Sequence, residues 1–167
     1  ALSALKTADY IVGLEPSCLL SFKDEYLYLF PGDKDAISVA NKTILIDELL
    51  MKNIESIKSL KLTKLPKTVL LQTHCHQKAL LGKDSSLSIL KNIPNCNVIE
   101  LNSGCCGMAG SFGFEKEHYE ISMNLGEMNL FDKINQYNQD VEIVSMGTSC
   151  RQQINDGTGR LPMHIIE

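Results

Sequence analysis

Residues 68–73 read Thr68-Val69-Leu70-Leu71-Gln72-Thr73 and run directly into His74-Cys75-His76-Gln77-Lys78. A short run rich in leucine and β-branched residues, closed by polar ones, has the composition of a strand. Runs of the same kind stand at 10–14, 97–101 and 141–145, each bounded by polar or turn-forming residues. The longer segments between them have helical period. Strands alternating with helices are the signature of a parallel sheet with helices on its faces, so the expected fold class is α/β, with one small four-stranded parallel sheet.

Outward from that strand, 35–60 places Ile37, Ala40, Ile44, Leu45, Ile54 and Ile57 at helical spacing, as one long helix or two short ones. Ser85 and Ser86 are candidate caps for a helix through Ile93 that Pro94 stops. A further helix over 115–136 carries Tyr119, Met123, Leu130 and Ile134 on one stripe. Gly126 interrupts it at a cost of about 1 kcal/mol relative to Ala, which points to close packing against a neighbour or to a tolerated defect. The stretch 62–67 reads as a linker.

The 167 residues suffice for one compact unit with a single core. Sixteen Lys and Arg stand against 20 Asp and Glu, with no basic block to follow a phosphate backbone, so nucleic acid is not an expected partner. The longest apolar runs, such as 11–14 and 68–71, are too short to cross a bilayer, and no charged-then-apolar leader opens the chain. The expected location is cytoplasmic. The chain opens without Met and enters an apolar stretch at once, as an excised part of a larger protein would. In a reducing compartment six cysteines point to metal binding or redox chemistry rather than disulfides, although any single one is as readily plain core.

The cysteines follow the strands. Cys18 lies past the first, Cys75 past the second, Cys105 and Cys106 past the third and Cys150 past the fourth, so parallel strands deliver five thiols to the edge where α/β folds place ligands. Cys96 precedes its strand and is expected at the opposite edge in a structural role. Clustered thiolates are soft ligands that select zinc, copper(I) or an iron–sulfur cluster. Tetrahedral zinc takes four thiolates, or three and a His, whereas a cubane takes four cysteines around a larger void.

In Gly104-Cys105-Cys106-Gly107-Met108-Ala109-Gly110 two adjacent cysteines reach one site only if the backbone leaves regular geometry. Gly104, Gly107 and Gly110 permit this by taking positive φ and aiming N–H groups at sulfur charge, and the helix starting near Glu115 is expected to add its positive end. A vicinal disulfide between Cys105 and Cys106 is the alternative. His74 and His76 flank Cys75 as candidate supporting groups; in an extended segment they share the side opposite the thiol, and His76, further beyond the strand, is the better placed. His118 reads as a surface residue, and His164 is unassigned. A cysteine nucleophile with a histidine base, built on Cys75 or Cys106, is a competing reading that leaves the other thiols unexplained.

A repeat is also visible. The stretch 11–18, an apolar run ending in Glu15-Pro16-Ser17-Cys18, parallels 141–150, which ends in Gly147-Thr148-Ser149-Cys150. The chain then divides into the tail of one repeat at 1–30, a helical connection at 31–67 and a whole second repeat at 68–167.

Four pieces carry a family resemblance: Glu15-Pro16-Ser17-Cys18, His74-Cys75-His76-Gln77, the glycine loop extended through Ser111-Phe112-Gly113, and Gly147-Thr148-Ser149-Cys150-Arg151. With them the chain resembles the cysteine-rich CCG domain found in heterodisulfide reductase, in glycolate oxidase iron–sulfur subunits, and in the C-terminal part of FAD-linked D-lactate or D-2-hydroxyglutarate dehydrogenases. Its motifs look like those of the last group. The family pattern is a lone Cys, then Cys-Cys-Gly, then Cys-x-x-Cys, commonly present twice; here Gly147 stands where the last motif has its first cysteine.

The resemblance implies Cys75, Cys105, Cys106, Cys150 and Cys18 as ligands of an iron–sulfur cluster, 4Fe–4S or noncubane, with His76, His74, Gly104 and Gly107 in support. It implies an electron-transfer module in which FAD oxidises a 2-hydroxyacid elsewhere and electrons leave to a quinone or protein acceptor. FAD-binding and ferredoxin-like domains or subunits are the implied partners, and they place the chain peripherally at the inner face of the membrane. The isolated chain is not expected to be catalytic. The alternative is a structural zinc or thiol-binding module that positions a partner domain.

Overall fold

The computed structural model describes residues 2–59, 62 and 67–167. Short helices α1 (Leu2–Leu5), α2 (Pro16–Leu19) and α3 (Glu25–Leu29) surround strand β1 (Ile11–Gly13). They are followed by α4 (Lys34–Lys42), β2 (Thr43–Leu45), α5 (Ile46–Lys52) and α6 (Ile54–Ser59). The second part alternates β3 (Thr68–Leu71), α7 (Cys75–Leu81), α8 (Asp84–Lys91) and β4 (Asn97–Glu100). A long loop then leads to α9 (Tyr119–Gly126), which continues through a π-helical turn at Glu127–Phe131 into α10 (Asp132–Asn135). The order ends with β5 (Glu142–Val144) and α11 (Thr148–Thr158).

Every strand pair is parallel, as the α/β reading requires, but the strands form two sheets rather than one. In the larger sheet β3 is central, with Val69 opposite Val98 of β4 and Leu70 opposite Ile143 of β5. In the smaller, β1 pairs with β2, Ile11 opposite Thr43 and Val12 opposite Ile44. The second strand of that pair falls inside the expected 35–60 helix. Thr43, Ile44 and Leu45 are all buried, and a run buried on every side presents the apolar spacing of a helix while carrying the β-branching of a strand.

Alternation along β3 organises the core. Leu70 faces Leu130, Phe131, Ile134 and Ile154 from α9–α10 and α11, while Val69 and Leu71 face Leu90 of α8 with Val144. Ile11, Leu19, Leu20, Val39 and Leu45 build a third cluster under the small sheet, and Met146, just past β5, completes it. That methionine therefore joins the two sheets.

Helix boundaries differ from expectation in two places. Helix α8 starts at Asp84, and the Ser85 and Ser86 hydroxyls donate to Asp47 on α5 instead of capping their own helix. The 115–136 helix begins only at Tyr119, whose ring is exposed while Leu130 and Ile134 are fully buried. Gly126 is a close-packing glycine, since a Cβ there would lie 2.3 Å from the Phe131 ring, and one at Gly157 on α11 would lie 2.2 Å from it. The two glycines clear the volume that the ring fills between helices. Most of the expected 62–67 linker lies outside the described residues.

Candidate metal centre

Three strand exits carry the thiols. Beyond β3 the chain passes Gln72 and Thr73 and turns into α7 at Cys75, so this segment is helical rather than extended and the alternation expected of His74, Cys75 and His76 does not hold. His74 is the buried N-cap of α7: its Nδ1 accepts from the His76 N–H at 3.2 Å. An accepting Nδ1 leaves the proton on Nε2, which lies 3.0 Å from the Ser17 hydroxyl. Burial pushes this imidazole below its ordinary pKa, in keeping with a neutral ring. His76 turns elsewhere; its ring meets Asp24 and Glu25 at the start of α3.

The loop after β4 holds Cys105, exposed, and Cys106, buried in the main core. Its backbone is irregular as expected, with φ of +77° at Gly104, +102° at Gly107 and +71° at Gly110. Gly107 also satisfies a close approach: a Cβ there would lie 2.2 Å from the carbonyl oxygen of Ser122 on α9. Its N–H donates to Cys105 Sγ at 3.4 Å. Buried Gln72 clamps the loop from the end of β3, donating to the Gly104 carbonyl at 3.1 Å and accepting from Ser103 Oγ at 2.6 Å. On the far side Gln153 of α11 donates to the Ser122 carbonyl at 2.8 Å.

After β5, Gly147 precedes α11, in which Cys150 is buried in the first turn. A Cβ at Gly147 would lie 2.4 Å from Cδ2 of His74 and 3.4 Å from the Cys150 sulfur. The imidazole thus fills the space that a cysteine at position 147 would need. Glu15, between β1 and α2, accepts from the Thr148 N–H at 2.6 Å and the Ser17 N–H at 3.3 Å, so the two Ser-Cys motifs meet through one carboxylate. Cys18 is exposed on α2. The helix starts that carry thiols are those of α2, α7 and α11. The turn at 115–118, expected to begin a helix, instead stacks His118 on Phe112, ring centroids 4.0 Å apart.

All six cysteines are free thiols, so the vicinal disulfide does not form. Cys105 acts on the ionisation of both Cys106 and Cys75, and Cys150 on that of Cys106 and Cys75. All four thiols follow the C-terminal ends of the neighbouring parallel strands β4, β3 and β5. Proton sharing with Cys106 and Cys75, helped by the Gly107 and Ala109 N–H groups, holds Cys105 far below the ordinary thiol pKa. The same sharing, with burial, pushes Cys75 and Cys106 up. Among the described residues no three of these sulfurs lie within 4.8 Å of one another. Lys78, half-buried on α7, has its pKa lowered by burial against the opposing pull of Glu100, Cys150 and Cys75. Cys96 packs with Val69, Leu71 and Leu90, and His164 Nε2 lies 3.0 Å from the Leu14 carbonyl.

Sequence alone does not single out Gln72, Gln153 or Lys78, because a lone Gln or Lys in an element carries no local signal of the loop it will meet. Glu15 stands in a visible motif, but nothing in the motif points to Thr148, 133 residues away.

A fold of parallel strands whose exits lead into thiol-bearing segments defines a cysteine-rich α/β domain. Residues 69–155, just over half of the chain, match the family model CCG, described as a cysteine-rich domain, and the chain belongs to that family. It is 30% identical to a subunit of the anaerobic glycerol-3-phosphate dehydrogenase of Escherichia coli K12 over 93% of this chain and 38% of that protein. It is 26% identical to D-2-hydroxyglutarate dehydrogenase of the same strain over 99% of this chain and 17% of that protein. Lactate utilization protein A of Lysinibacillus sphaericus is 31% identical over 66% of this chain and 50% of that protein. The chain thus spans half or less of these relatives' lengths. No solved structure matches it.

Proposed function

We propose that the chain is an iron–sulfur electron-transfer module of a dehydrogenase, with Cys75, Cys105, Cys106 and Cys150 holding the cluster and Cys18 available as a fifth thiolate. Four thiols standing just past the C-terminal ends of three neighbouring parallel strands carry this reading. A single tetrahedral zinc, with Zn–S bonds of about 2.3 Å, brings all its sulfurs within about 3.8 Å of one another. Among the described residues no three of these sulfurs fall within 4.8 Å of one another. A 4Fe–4S or noncubane cluster, whose thiolates stand around a larger body, suits thiols set further apart than that.

Such a cluster, when bound, accepts and releases single electrons. The chain's own groups set its surroundings: buried Cys106 and Cys150 exclude water on the core side, the Gly107 N–H and the Lys78 ammonium oppose thiolate charge, and exposed Cys105 leaves one side open to a redox partner. The relatives' names point to oxidation of a CH–OH group, which a flavin in another part of the parent enzyme would carry out. Its substrate would be a 2-hydroxyacid of the glycolate, D-lactate or D-2-hydroxyglutarate kind, or a polyol phosphate. Electrons would pass through this module to a quinone or protein acceptor, on the cytoplasmic side of the membrane.

Anaerobic reconstitution with iron and sulfide tests the reading. The expected product is brown, contains iron and acid-labile sulfide, and gives a paramagnetic signal in one oxidation state, all lost in Cys106→Ser. A colourless protein holding one zinc per chain under the same conditions would replace it with the structural-zinc reading.

A further inference from the structure

Asp24, Glu25 and His76 bring their ligand atoms within 4.8 Å of one another from segments far apart in the sequence. Asp24 stands at the N-cap of α3 yet accepts no capping hydrogen bond, so its carboxylate is committed to nothing in its own helix. His76 occupies the second position of α7, and among the described residues no hydrogen bond or ion pair joins its ring to either carboxylate. Two adjacent carboxylates facing the same space repel, and a shared cation removes that repulsion.

We propose that Asp24, Glu25 and His76 form a second metal site, for a divalent cation of the manganese(II), iron(II) or zinc(II) class, with no cysteine among its ligands. One imidazole and two carboxylates are hard-to-borderline donors, whereas the thiols are soft, so the two sites select different metals. Asp24 and His76 are half-buried and Glu25 is exposed, an arrangement that leaves coordination positions to water and keeps the ion exchangeable. A bound ion ties α3 to α7, whose first residue is Cys75. The site does not depend on what the thiols hold.

Manganese(II) alone is the suitable probe, because oxygen and imidazole donors bind it and thiolates compete poorly. In a titration of the full chain followed by the electron paramagnetic resonance of free manganese, one saturable equivalent is expected. His76→Gln and Asp24→Asn, both at the surface and checked for fold by circular dichroism, should weaken binding by about tenfold or more. The double change of Cys105→Ser with Cys106→Ser should leave binding unaltered. Absence of a saturable equivalent, unchanged binding in His76→Gln and Asp24→Asn, or loss of binding with the two cysteines would each overturn the site.

Discussion

At the scale of single residues, Gly107 has two separate reasons to be glycine. Its φ of +102° lies in a region where an L side chain is strained, and its missing Cβ is where the Ser122 carbonyl sits, at 2.2 Å. Gly104 shares only the first reason, since nothing lies within 4 Å of the Cβ it would carry. Replacement by Ala separates the two. Gly104→Ala is expected to cost about 1 kcal/mol, the ordinary penalty for a left-handed alanine. Gly107→Ala should cost more than about 2 kcal/mol, because α9 or the loop must also move. Urea unfolding of the two variants measures the difference; equal costs would show that the Ser122 contact is loose. The glycines were legible because a Cys-Cys pair cannot converge without irregular backbone. Gln72 was not, because its amide reaches Gly104 across a gap of 32 residues that no local pattern encodes.

At the scale of elements, the seating of α7 determines where Cys75 points, and a buried aspartate holds it. Asp47 is fully buried on α5, and its Oδ2 accepts from Gln77 Nε2 on α7 at 2.9 Å and from the Ser85 and Ser86 hydroxyls on α8 at 2.8 and 2.5 Å. Its Oδ1 accepts from the Glu48 N–H at 2.9 Å. One carboxylate thus fastens three helices. Asp47→Ala leaves buried Gln77 and Ser86 without that acceptor and is expected to destabilise the fold by about 3 kcal/mol, against about 1 kcal/mol or less for Ser85→Ala at the edge of the network. Thermal or urea unfolding checks the ranking. The strands at 11–13, 68–71, 97–100 and 142–144 were legible from their composition. Strand β2 was not: three residues between two helices are too few to show a period of their own, and only pairing with β1 makes them a strand. The π-turn was hidden too, as it depends on where the Phe131 ring finds room against Gly157.

Across the whole molecule, the small sheet must be fixed to the large one for the two Ser-Cys motifs to share a neighbourhood, and Glu15 is the charged tie between them. Burial alone would raise the pKa of this carboxyl, but the Thr148 N–H, followed by the Ser17 N–H, outweighs it and holds the group below its ordinary value of 4.5. A carboxyl depressed in the folded state binds fewer protons there than in the unfolded chain. Its stabilising contribution is therefore present above pH 4.5 and is lost as pH falls through the lower folded value. Glu15→Gln keeps the shape and removes the titration. The wild-type chain should accordingly lose stability more steeply than Glu15→Gln as pH is taken from neutral to below 4.5, with the two converging at the acid end. Urea midpoints measured across that range give the comparison. Parallel curves would mean that the carboxylate contributes no charge-dependent hold, leaving the apolar contacts of Met146 with Leu19, Leu20 and Leu45 as the join between the sheets.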